Sequence, residues 1–415
     1  MKKKQLPLGL KIIRRSIISL FEIIILPLYY FIGILPRDKT LWIFCSWFGQ
    51  RYSDNSRMLF EYVNEHHPEI KTVWLSKNRE VISILKKKGL NAAPSYSLKA
   101  FAYSLRAGKI FSTTGGEISL FFCNGAEYYA LWHGMPLKKI LNDDTHSGGI
   151  STQSPLRKKS TDLLNSSFPW RIFTNQKKLY TVTNSEFFVP FLRTAFNIPD
   201  GKILQTGSPR CDALFYNRRE PLIDLLREQF PDSRIILYMP TFRTAEWTGE
   251  VFNPFSEKYG FNFDKFLAEL ECQKSVFVYK PHFSDAQFMQ STRRRDVKSR
   301  LITVCDDDYD ELYNFVGQVD ILMTDYSSIY FDFIATKKPV ILLPFDYEDY
   351  IKYSRAHYFN YFEYMEGVKA KNWQEFYKII EKKLYAPVSK EAQLKFAEYL
   401  DGDCCRKIFE EAVGK

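Results

Sequence analysis

The sequence lacks the cysteine and histidine spacings of a structural metal module. Its seven cysteines are odd in number and scattered, so neither a zinc finger nor a disulfide framework is predicted. No acidic cluster suits a tightly bound metal, and we predict neither a metal nor another cofactor. The cysteines, including the adjacent Cys404 and Cys405, are interpreted as ordinary thiols of a reducing cytoplasm.

Low-complexity tracts and short internal repeats are also missing, which argues against a disordered or fibrous protein. The formal charge of +10 suits a phosphate-rich partner: nucleic acid, an anionic membrane or a phosphorylated small molecule. Without zinc-finger spacing or a compact basic helix, nucleic acid is the least favoured of the three. The basic run at 293–295 is interpreted as a solvated helix end or loop.

Only one long apolar run is present, at residues 16–35, and Glu22 and Pro27 interrupt it. Its length is just enough to span a bilayer, but a charge and a helix breaker favour a helix lying in the membrane interface. A single span and a soluble core helix are the alternatives, and no small-residue cleavage site of a signal peptide follows. The basic residues before the run place the globular part in the cytoplasm; they are Lys2, Lys3, Lys4, Lys11, Arg14 and Arg15.

From residue 39 onward, short apolar runs alternate with helical patterns such as 56–66 and 79–88. Near-continuous apolar strands between helices indicate parallel sheets covered on both faces. The predicted strands are 41–46, 72–76, 109–112, 128–132, 171–174, 181–184, 235–239, 275–279, 301–304, 320–323 and 339–343.

Eleven strands are too many for one simple doubly wound sheet, and no eightfold regularity supports a barrel. We therefore predict an α/β protein with two Rossmann-like domains facing a cleft. The segment 1–38 associates with the membrane, 39–216 is the N-terminal domain and 217–415 the C-terminal domain, whose last helix could pack back on the N-terminal domain. The polar stretch 142–167 is interpreted as a loop beside the cleft.

The first chemical motif begins at His133, directly after an apolar strand. Residues just past the carboxyl ends of parallel strands face the binding crevice of such sheets. A histidine there can titrate near neutrality and accept the proton of an attacking hydroxyl. A structural loop histidine is the alternative; Gly134 and Lys138 nearby modestly favour the catalytic interpretation.

The most specific motif runs from Asp320 to Asp332, where a buried strand leads into hydroxyl residues that open a helix. Asp325 precedes Ser327 and Ser328 there. Backbone N–H groups and hydroxyls at a helix start bind phosphate, although serine and aspartate also cap helices without any ligand. The motif predicts a phosphate site.

Two shorter motifs also follow predicted strands. In Pro-Thr-Phe-Arg, Thr241 and Arg243 would lie at the cleft, where arginine could bind phosphate bidentately. In Lys-Pro-His, Lys280 and His282 would offer two donors to the same ligand. Taken alone, this motif is weak evidence for a binding site, because an ordinary turn can have the same sequence.

For two further segments the sequence allows both a binding role and a purely structural one. Arg210 and Asp212 lie at the proposed interdomain turn and either fix that turn or contact the donor. The acidic, aromatic stretch 344–350 either contacts the nucleoside or the acceptor, or is plain surface.

Taken in this order, the motifs resemble the CDP-glycerol glycerophosphotransferase family of teichoic acid synthesis. The matching segments are an early Trp-Phe-Gly-x-x-Tyr-Ser-Asp-Asn at 47–55, His-Gly-Met-Pro-Leu-Lys at 133–138, Gly-Ser-Pro-Arg-Cys-Asp at 207–212, Pro-Thr-Phe-Arg at 240–243 and Thr-Asp-Tyr-Ser-Ser-x-x-Phe-Asp at 324–332. The resemblance covers about residues 40 to 365. Met135 replaces the usual threonine, and Lys-Pro-His-Phe departs from the usual Lys-x-His-Pro order.

The resemblance implies a GT-B architecture in which 39–216 is the acceptor domain and 217–415 is the CDP-donor domain. It also implies a monotopic enzyme on the cytoplasmic face of the membrane, acting on a lipid-linked acceptor. It implies that His133 is the general base and that His282 binds phosphate, as a histidine paired with serine or threonine does in certain bacterial sialyltransferases. Contacts with the donor pyrophosphate are implied for Arg243, Ser327 and Ser328.

The expected reaction moves glycerol phosphate from CDP-glycerol to the acceptor of a teichoic acid or related capsular polymer and releases CMP. A poor match at 353–358 leaves the transferred alcohol open, so a CDP-ribitol donor is an alternative. A GT-B glycosyltransferase using a nucleotide sugar and a non-enzymatic membrane-binding protein are the others. Without a long extension, the chain looks closer to the short priming enzymes than to the long polymerases.

Overall fold

The computed structural model describes residues 8–144, 168–216, 218–243, 252–281, 299–306 and 308–414, with side chains from residue 18 onward. The α-helices of this part of the chain are α1 (Leu8–Gly33), α2 (Asp54–His66), α3 (Arg79–Lys87), α4 (Leu98–Arg106), α5 (Val189–Phe196), α6 (Pro221–Gln229), α7 (Phe263–Cys272), α8 (Leu312–Gln318), α9 (Ile329–Phe333), α10 (Tyr347–Tyr353), α11 (Tyr361–Tyr364), α12 (Trp373–Glu381), α13 (Lys390–Ala397) and α14 (Cys404–Val413). The strands are β1 (Asp38–Cys45), β2 (Lys71–Ser76), β3 (Ala92–Pro94), β4 (Ala107–Ser112), β5 (Glu127–Ala130), β6 (Leu179–Val182), β7 (Ile203–Leu204), β8 (Arg234–Met239), β9 (Ser275–Tyr279), β10 (Leu301–Thr303), β11 (Ile321–Thr324), β12 (Val340–Leu342) and β13 (Val368–Lys369).

The first sheet has seven strands in the order β3-β2-β1-β4-β5-β6-β7. Its interior strand β1 pairs in parallel with β2 and β4, with Phe44 opposite Trp74 on one side and Phe111 on the other. All six residues of β4 are buried. A strand buried on both faces belongs to a parallel sheet covered by helices, as the apolar pattern predicts.

The second sheet has six strands in the order β10-β9-β8-β11-β12-β13, and its strand pairs are parallel. Counted from β8, this is the 3-2-1-4-5-6 order of doubly wound nucleotide-binding sheets. The order reverses between β8 and β11, where Met239 lies opposite Thr324. Ligands of such sheets bind outside the carboxyl ends of the strands at this switch point. The predicted α/β class with two parallel sheets is confirmed.

The chain forms two compact units whose boundaries differ from those of the domains predicted from the sequence. One unit comprises Met1–Tyr52, Val63–Ala130 and Pro155–Tyr180; the other comprises Ser53–Tyr62, Leu131–Ser154 and Thr181–Lys415. The second unit therefore contains the second sheet together with short segments that the sequence assigned to the acceptor domain. The candidate site described below lies entirely within this second unit.

One strand prediction is wrong and three strands were missed. Residues 171–174 do not form a strand, because two 3-10 turns, Pro169–Arg171 and Phe173–Asn175, occupy this position. The missed strands β3, β7 and β13 have two or three residues each, too few to carry a period-two pattern. The predicted loop at 142–167 lies largely outside the described residues.

The charge inside the N-terminal apolar run has a partner within the first unit. Glu22 is buried and forms an ion pair with Arg171, which also donates to the Ser19 hydroxyl at 3.4 Å. Tyr29 and Ile32 pack with Phe121 in a small apolar cluster. Glu22 thus fixes one face of α1 to the protein.

Away from these contacts α1 carries large exposed apolar side chains, which are Ile18, Leu20, Phe21, Ile23, Ile24, Leu28 and Phe31. None of the described helices has the length and apolar character to cross a bilayer, as the single-span alternative would require.

Candidate active site

The carboxyl ends of β8 and β11 are joined by side-chain hydrogen bonds at the switch point. The Thr324 hydroxyl donates to the Met239 carbonyl at 2.7 Å. Asp325, fully buried, accepts from the backbone N–H of Thr241 at 2.8 Å and of Tyr326 at 2.6 Å. The two motifs that the sequence assigned to phosphate binding are therefore one structural feature.

The guanidinium of Arg243 hydrogen-bonds to two carboxylates of the protein instead of facing a ligand site. Its Nη1 donates to Asp325 at 2.5 Å, while Nε and Nη2 donate to the two oxygens of Asp346 at 2.9 and 2.7 Å. The guanidinium also lies 4.0 Å from the Phe252 ring centroid. Burial alone would lower the pKa of Arg243, but Asp325 and Asp346 raise it well above its usual value.

The bidentate contact expected for a phosphate is therefore made with Asp346. Asp346 belongs to the acidic stretch 344–350, so one residue of that stretch is part of the site's framework, while Glu348 and Asp349 are exposed. Arg243 holds the β8 and β11 loops in place.

Two other predicted phosphate ligands lie beside this framework. The Thr241 hydroxyl is buried and has no hydrogen-bond partner among the described residues. Lys280, also buried, follows β9 and pairs with Asp306 at 3.0 Å. His282 lies outside the described residues, as does the basic run 293–295.

Ser327 and Ser328 are half-buried at the start of α9. This helix has only five residues, and Ser328, its N-cap, makes no side-chain capping bond. So short a helix contributes little of the dipole that the motif implied. Phosphate binding here would rest on the two hydroxyls and nearby N–H groups.

The His133 loop packs directly against Ser328. Trp132 and Gly134, on either side of His133, have φ values of 56° and 138°. A Cβ on Gly134 would lie 2.4 Å from Ser328 Oγ and 3.0 Å from Arg210 Nη2. Three motifs that are far apart in sequence thus meet where only glycine fits.

Gly134→Ala should therefore disturb the site more than its one methyl group suggests. The new Cβ must displace Ser328 or Arg210, and the backbone conformation is strained for alanine. We expect kcat to fall by about 10²-fold, because displacements near 1 Å at reacting groups have effects of this size. Steady-state turnover would measure it. Gly89→Ala is the matched control, since Gly89 also has positive φ (76°) but a Cβ there would meet no atom within 4 Å; an equal loss in both variants would rule out the clash as the cause.

Asn55 is a site residue that the sequence motifs did not single out. Its Nδ2 donates to the carbonyls of Leu131 at 3.1 Å and Trp132 at 2.8 Å, the two residues before His133. Its Oδ1 accepts from the Arg210 backbone N–H at 3.0 Å. A signal was present, because Asn55 ends the Tyr-Ser-Asp-Asn part of the early motif.

Asn55→Ala should lower kcat by about 10²-fold while leaving the KM for the donor within a factor of about three, because the variant misaims His133 without touching the donor framework. Full initial-rate curves with varied donor give both constants. Asn78→Ala is the control, since Asn78 also bonds through its side chain but caps α3. A rise in KM with unchanged kcat would contradict a positioning role for Asn55.

Below this loop, Arg210 and Asp332 form a buried polar network. Arg210 pairs with Asp54 at 3.1 Å and Asp332 at 2.7 Å, and its guanidinium lies 4.6 Å from the Tyr313 ring centroid. Asp332 also accepts from Tyr313 at 2.5 Å and from Asn184 at 2.8 Å. These residues support the loop from beneath and are too buried to be donor ligands.

Asp212, two residues after Arg210, bonds to the start of the last helix. Asp212 is fully buried and accepts the backbone N–H groups of Cys404 and Cys405, both at 2.8 Å. It thereby caps α14, a structural task that explains its acidic side chain. Both thiols are buried, and burial raises their pKa.

Lys138 continues the His133 segment and lies 5.9 Å from the Tyr350 ring centroid. It forms an isolated antiparallel bridge with His357. Within the described residues, no three histidine, cysteine or acidic side chains are grouped as metal ligands.

Two parallel doubly wound sheets, with a histidine loop packed on the hydroxyl residues of a switch point, define a GT-B-like α/β enzyme. Over residues 28–413 the chain matches the family described as CDP-Glycerol:Poly(glycerophosphate) glycerophosphotransferase, and it belongs to this family. The chain is therefore an enzyme of the CDP-glycerol glycerophosphotransferase type, which excludes the non-enzymatic alternative.

Two curated relatives match most of this chain over most of their own length. A teichoic acid poly(glycerol phosphate) polymerase of Bacillus spizizenii is 25% identical over 97% of this chain and 98% of its own. A teichoic acid glycerol-phosphate transferase of Staphylococcus aureus is 28% identical over 87% of this chain and 88% of its own. The solved structure of a variant of the wall teichoic acid polymerase TagF has a TM-score of 0.71 at 20% identity, covering 97% of both chains.

Proposed function

We propose that this enzyme transfers glycerol phosphate from CDP-glycerol to a lipid-linked acceptor during synthesis of teichoic acid or a related cell-envelope or capsular polymer. The observation that carries the proposal is the contact of the His133–Gly134 loop with Ser328 at the switch point of the second sheet. Family membership supplies the CDP-glycerol donor, and the names of the relatives supply the polymer.

The reaction is an in-line displacement at the β-phosphorus of the donor. The acceptor oxygen forms the new P–O bond, its proton passes to His133, and the bond to the leaving CMP breaks. Such transfers depend mainly on positioning and charge neutralisation. Ser327, Ser328 and the Thr241 hydroxyl would bind the donor phosphates, together with Lys280 and His282.

The structure revises one role within this mechanism. Arg243 bonds two buried carboxylates, so it would act by fixing the loops that carry Thr241 and Ser327. Its positive charge still lies in the donor region and would partly offset the negative charge that builds up during transfer.

The test incubates the purified chain with CDP-glycerol and CDP-ribitol in turn, together with a lipid-linked disaccharide acceptor. We expect CMP release and a product heavier by one or more glycerol phosphate units, read by mass spectrometry. Faster transfer from CDP-ribitol would assign the polyol alternative. Reaction with a nucleotide sugar, releasing UDP or GDP, would instead assign a glycosyltransferase.

We also propose that α1 lies on an anionic lipid surface at the cytoplasmic face of the membrane. Glu22 is fixed to the protein by Arg171, while the nearby side chains of Phe21 and Ile24 are 60% and 67% exposed. The basic residues near the start of the chain and the net charge of +10 complement anionic headgroups.

Phe21→Ser combined with Ile24→Ser should weaken vesicle binding by at least about tenfold, since each side chain would otherwise be buried among acyl chains. Co-sedimentation with vesicles containing phosphatidylglycerol measures this, and added salt should weaken binding further. Leu394→Ser, which removes an equally exposed apolar side chain from α13, is the control and should bind normally. Unchanged binding of the double variant would exclude α1 as the lipid contact.

A further inference from the structure

Next to the His133 segment lies a group of aromatic side chains that the proposed mechanism does not use. The His357 ring is surrounded by Tyr326, Tyr347, Tyr350 and Tyr361, with centroid distances of 6.1, 6.2, 6.1 and 6.4 Å. We call these five residues the histidine–tyrosine cluster. Tyr361 is fully buried and Tyr350 nearly so.

The cluster and its neighbour Ser354 carry buried polar atoms that lack hydrogen-bond partners among the described residues. These atoms are both ring nitrogens of His357, the Tyr361 hydroxyl and the Ser354 hydroxyl. Ser354 is 2% exposed and Tyr361 is 0% exposed. Buried polar groups are nearly always paired, so three such residues within one short segment indicate that a ligand pairs with them.

Backbone hydrogen bonds connect this segment to the residues that follow His133, the candidate base. The Tyr358 N–H donates to the Leu137 carbonyl at 2.9 Å, and the Lys139 N–H donates to the Ala356 carbonyl at 2.8 Å. Tyr326 directly follows Asp325 at the end of β11, and its hydroxyl donates to Asp346 at 3.1 Å. The cluster thus adjoins both the His133 segment and the donor motif, where the group on the attacked phosphorus must lie.

The polar atoms of the cluster suit hydroxyl groups better than phosphate. Burial, together with Lys138, lowers the pKa of His357 to about 4, so at neutral pH its ring offers one donor and one acceptor. Serine and tyrosine hydroxyls likewise donate and accept, as do the hydroxyls of an alcohol. A phosphate dianion only accepts hydrogen bonds, so it could not pair with the acceptor nitrogen of the His357 ring.

We propose that His357, Ser354 and Tyr361 bind the hydroxyl groups of the polyol carried by the CDP donor and thereby set which alcohol is transferred. This inference rests on the proposed function and adds the part of the site that recognises the transferred unit.

The test uses Ser354→Ala and Tyr361→Phe, which remove only the two hydroxyls. Each should lower kcat/KM for CDP-glycerol by roughly fivefold, and the pair by more than tenfold. The affinity for CDP, which has no polyol, should stay unchanged in a direct titration. Because neither hydroxyl has a protein partner among the described residues, the melting temperature should not fall, a signature that a structural role would not give.

Tyr377→Phe is the matched control, since its hydroxyl is also buried but only approaches the Asn262 carbonyl, at 3.4 Å; its kinetics should be those of the wild type. His357→Phe should change the ratio of CDP-glycerol to CDP-ribitol use. Equal losses for CDP and CDP-glycerol, or no loss in either hydroxyl variant, would overturn the inference alone. If the wild-type enzyme used neither CDP-alcohol, the proposed function would fail and the inference with it.

Discussion

His133→Ala is expected to lower the rate of CMP release by roughly 10²- to 10⁴-fold, the usual contribution of a positioned general base. The physical reason is that an unassisted acceptor hydroxyl must lose its proton to water as it attacks. The loss should appear in kcat, while the KM for CDP-glycerol changes little, because the proposed role of His133 is to accept the proton of the acceptor hydroxyl and not to bind the donor. Stopped assays with saturating donor and lipid-linked acceptor measure the effect.

The control for this variant is His67→Ala. His67 lies beyond the end of α2 and approaches Glu69 at 3.1 Å, outside the candidate site, so its replacement should leave the rate unchanged. A pH–rate profile adds a second readout, because the acidic limb of kcat should disappear when the base is removed. Near wild-type CMP release by the His133→Ala enzyme would eliminate His133 as the base.

Asp332→Ala is expected to lower the free energy of unfolding by about 3–5 kcal/mol, the range for breaking a buried ion pair by removing one partner. Asp332 is fully buried and accepts from Arg210, Tyr313 and Asn184. Its removal would leave Arg210 buried with Asp54 as its remaining carboxylate partner. The midpoint of chemical denaturation, followed by circular dichroism, would report the loss.

Asp224→Ala provides the comparison, because Asp224 pairs with Arg219 at the exposed surface. Exposed pairs contribute little, so the midpoint of this variant should match the wild type. Arg210→Lys should also lower activity, although it keeps the positive charge. A lysine cannot make the directed contacts with Asp54 and Asp332 and also stack on the Tyr313 ring. An Asp332→Ala protein with an unchanged midpoint would show that the network is not needed for stability.

The positions of the site's loops could be predicted from the sequence, whereas the partners of its side chains could not. Apolar strands ending at Met239 and Thr324 placed Thr241 and Ser327 at one edge of a sheet, and both follow their strands as expected. Arg243 follows the same strand, and its type suggested a phosphate. Its actual partners, Asp325 and Asp346, lie 82 and 103 residues away, and no local pattern connects them.

Glu22 shows the same limit at the other end of the chain. In sequence it is a charge that weakens an apolar run, and it therefore argued for an interfacial helix. In the structure it pairs with Arg171, 149 residues away, and fixes the helix to its own unit. The sequence could show that the charge was unusual but could not show which surface it faced.

By itself, the sequence determined the α/β class, most strand positions, the family and the residues of the chemical motifs. These features depend on patterns within a few neighbouring residues, which hydrophobic periodicity and motif spacing record directly. The tertiary structure alone decided that Gly134 packs on Ser328, that Asn55 holds the His133 strand end, and that Arg210 pairs with residues 156 and 122 positions away. Such contacts form only when packing excludes water from the side chains, and neither the excluded volume nor the lost hydration is visible in the order of residues.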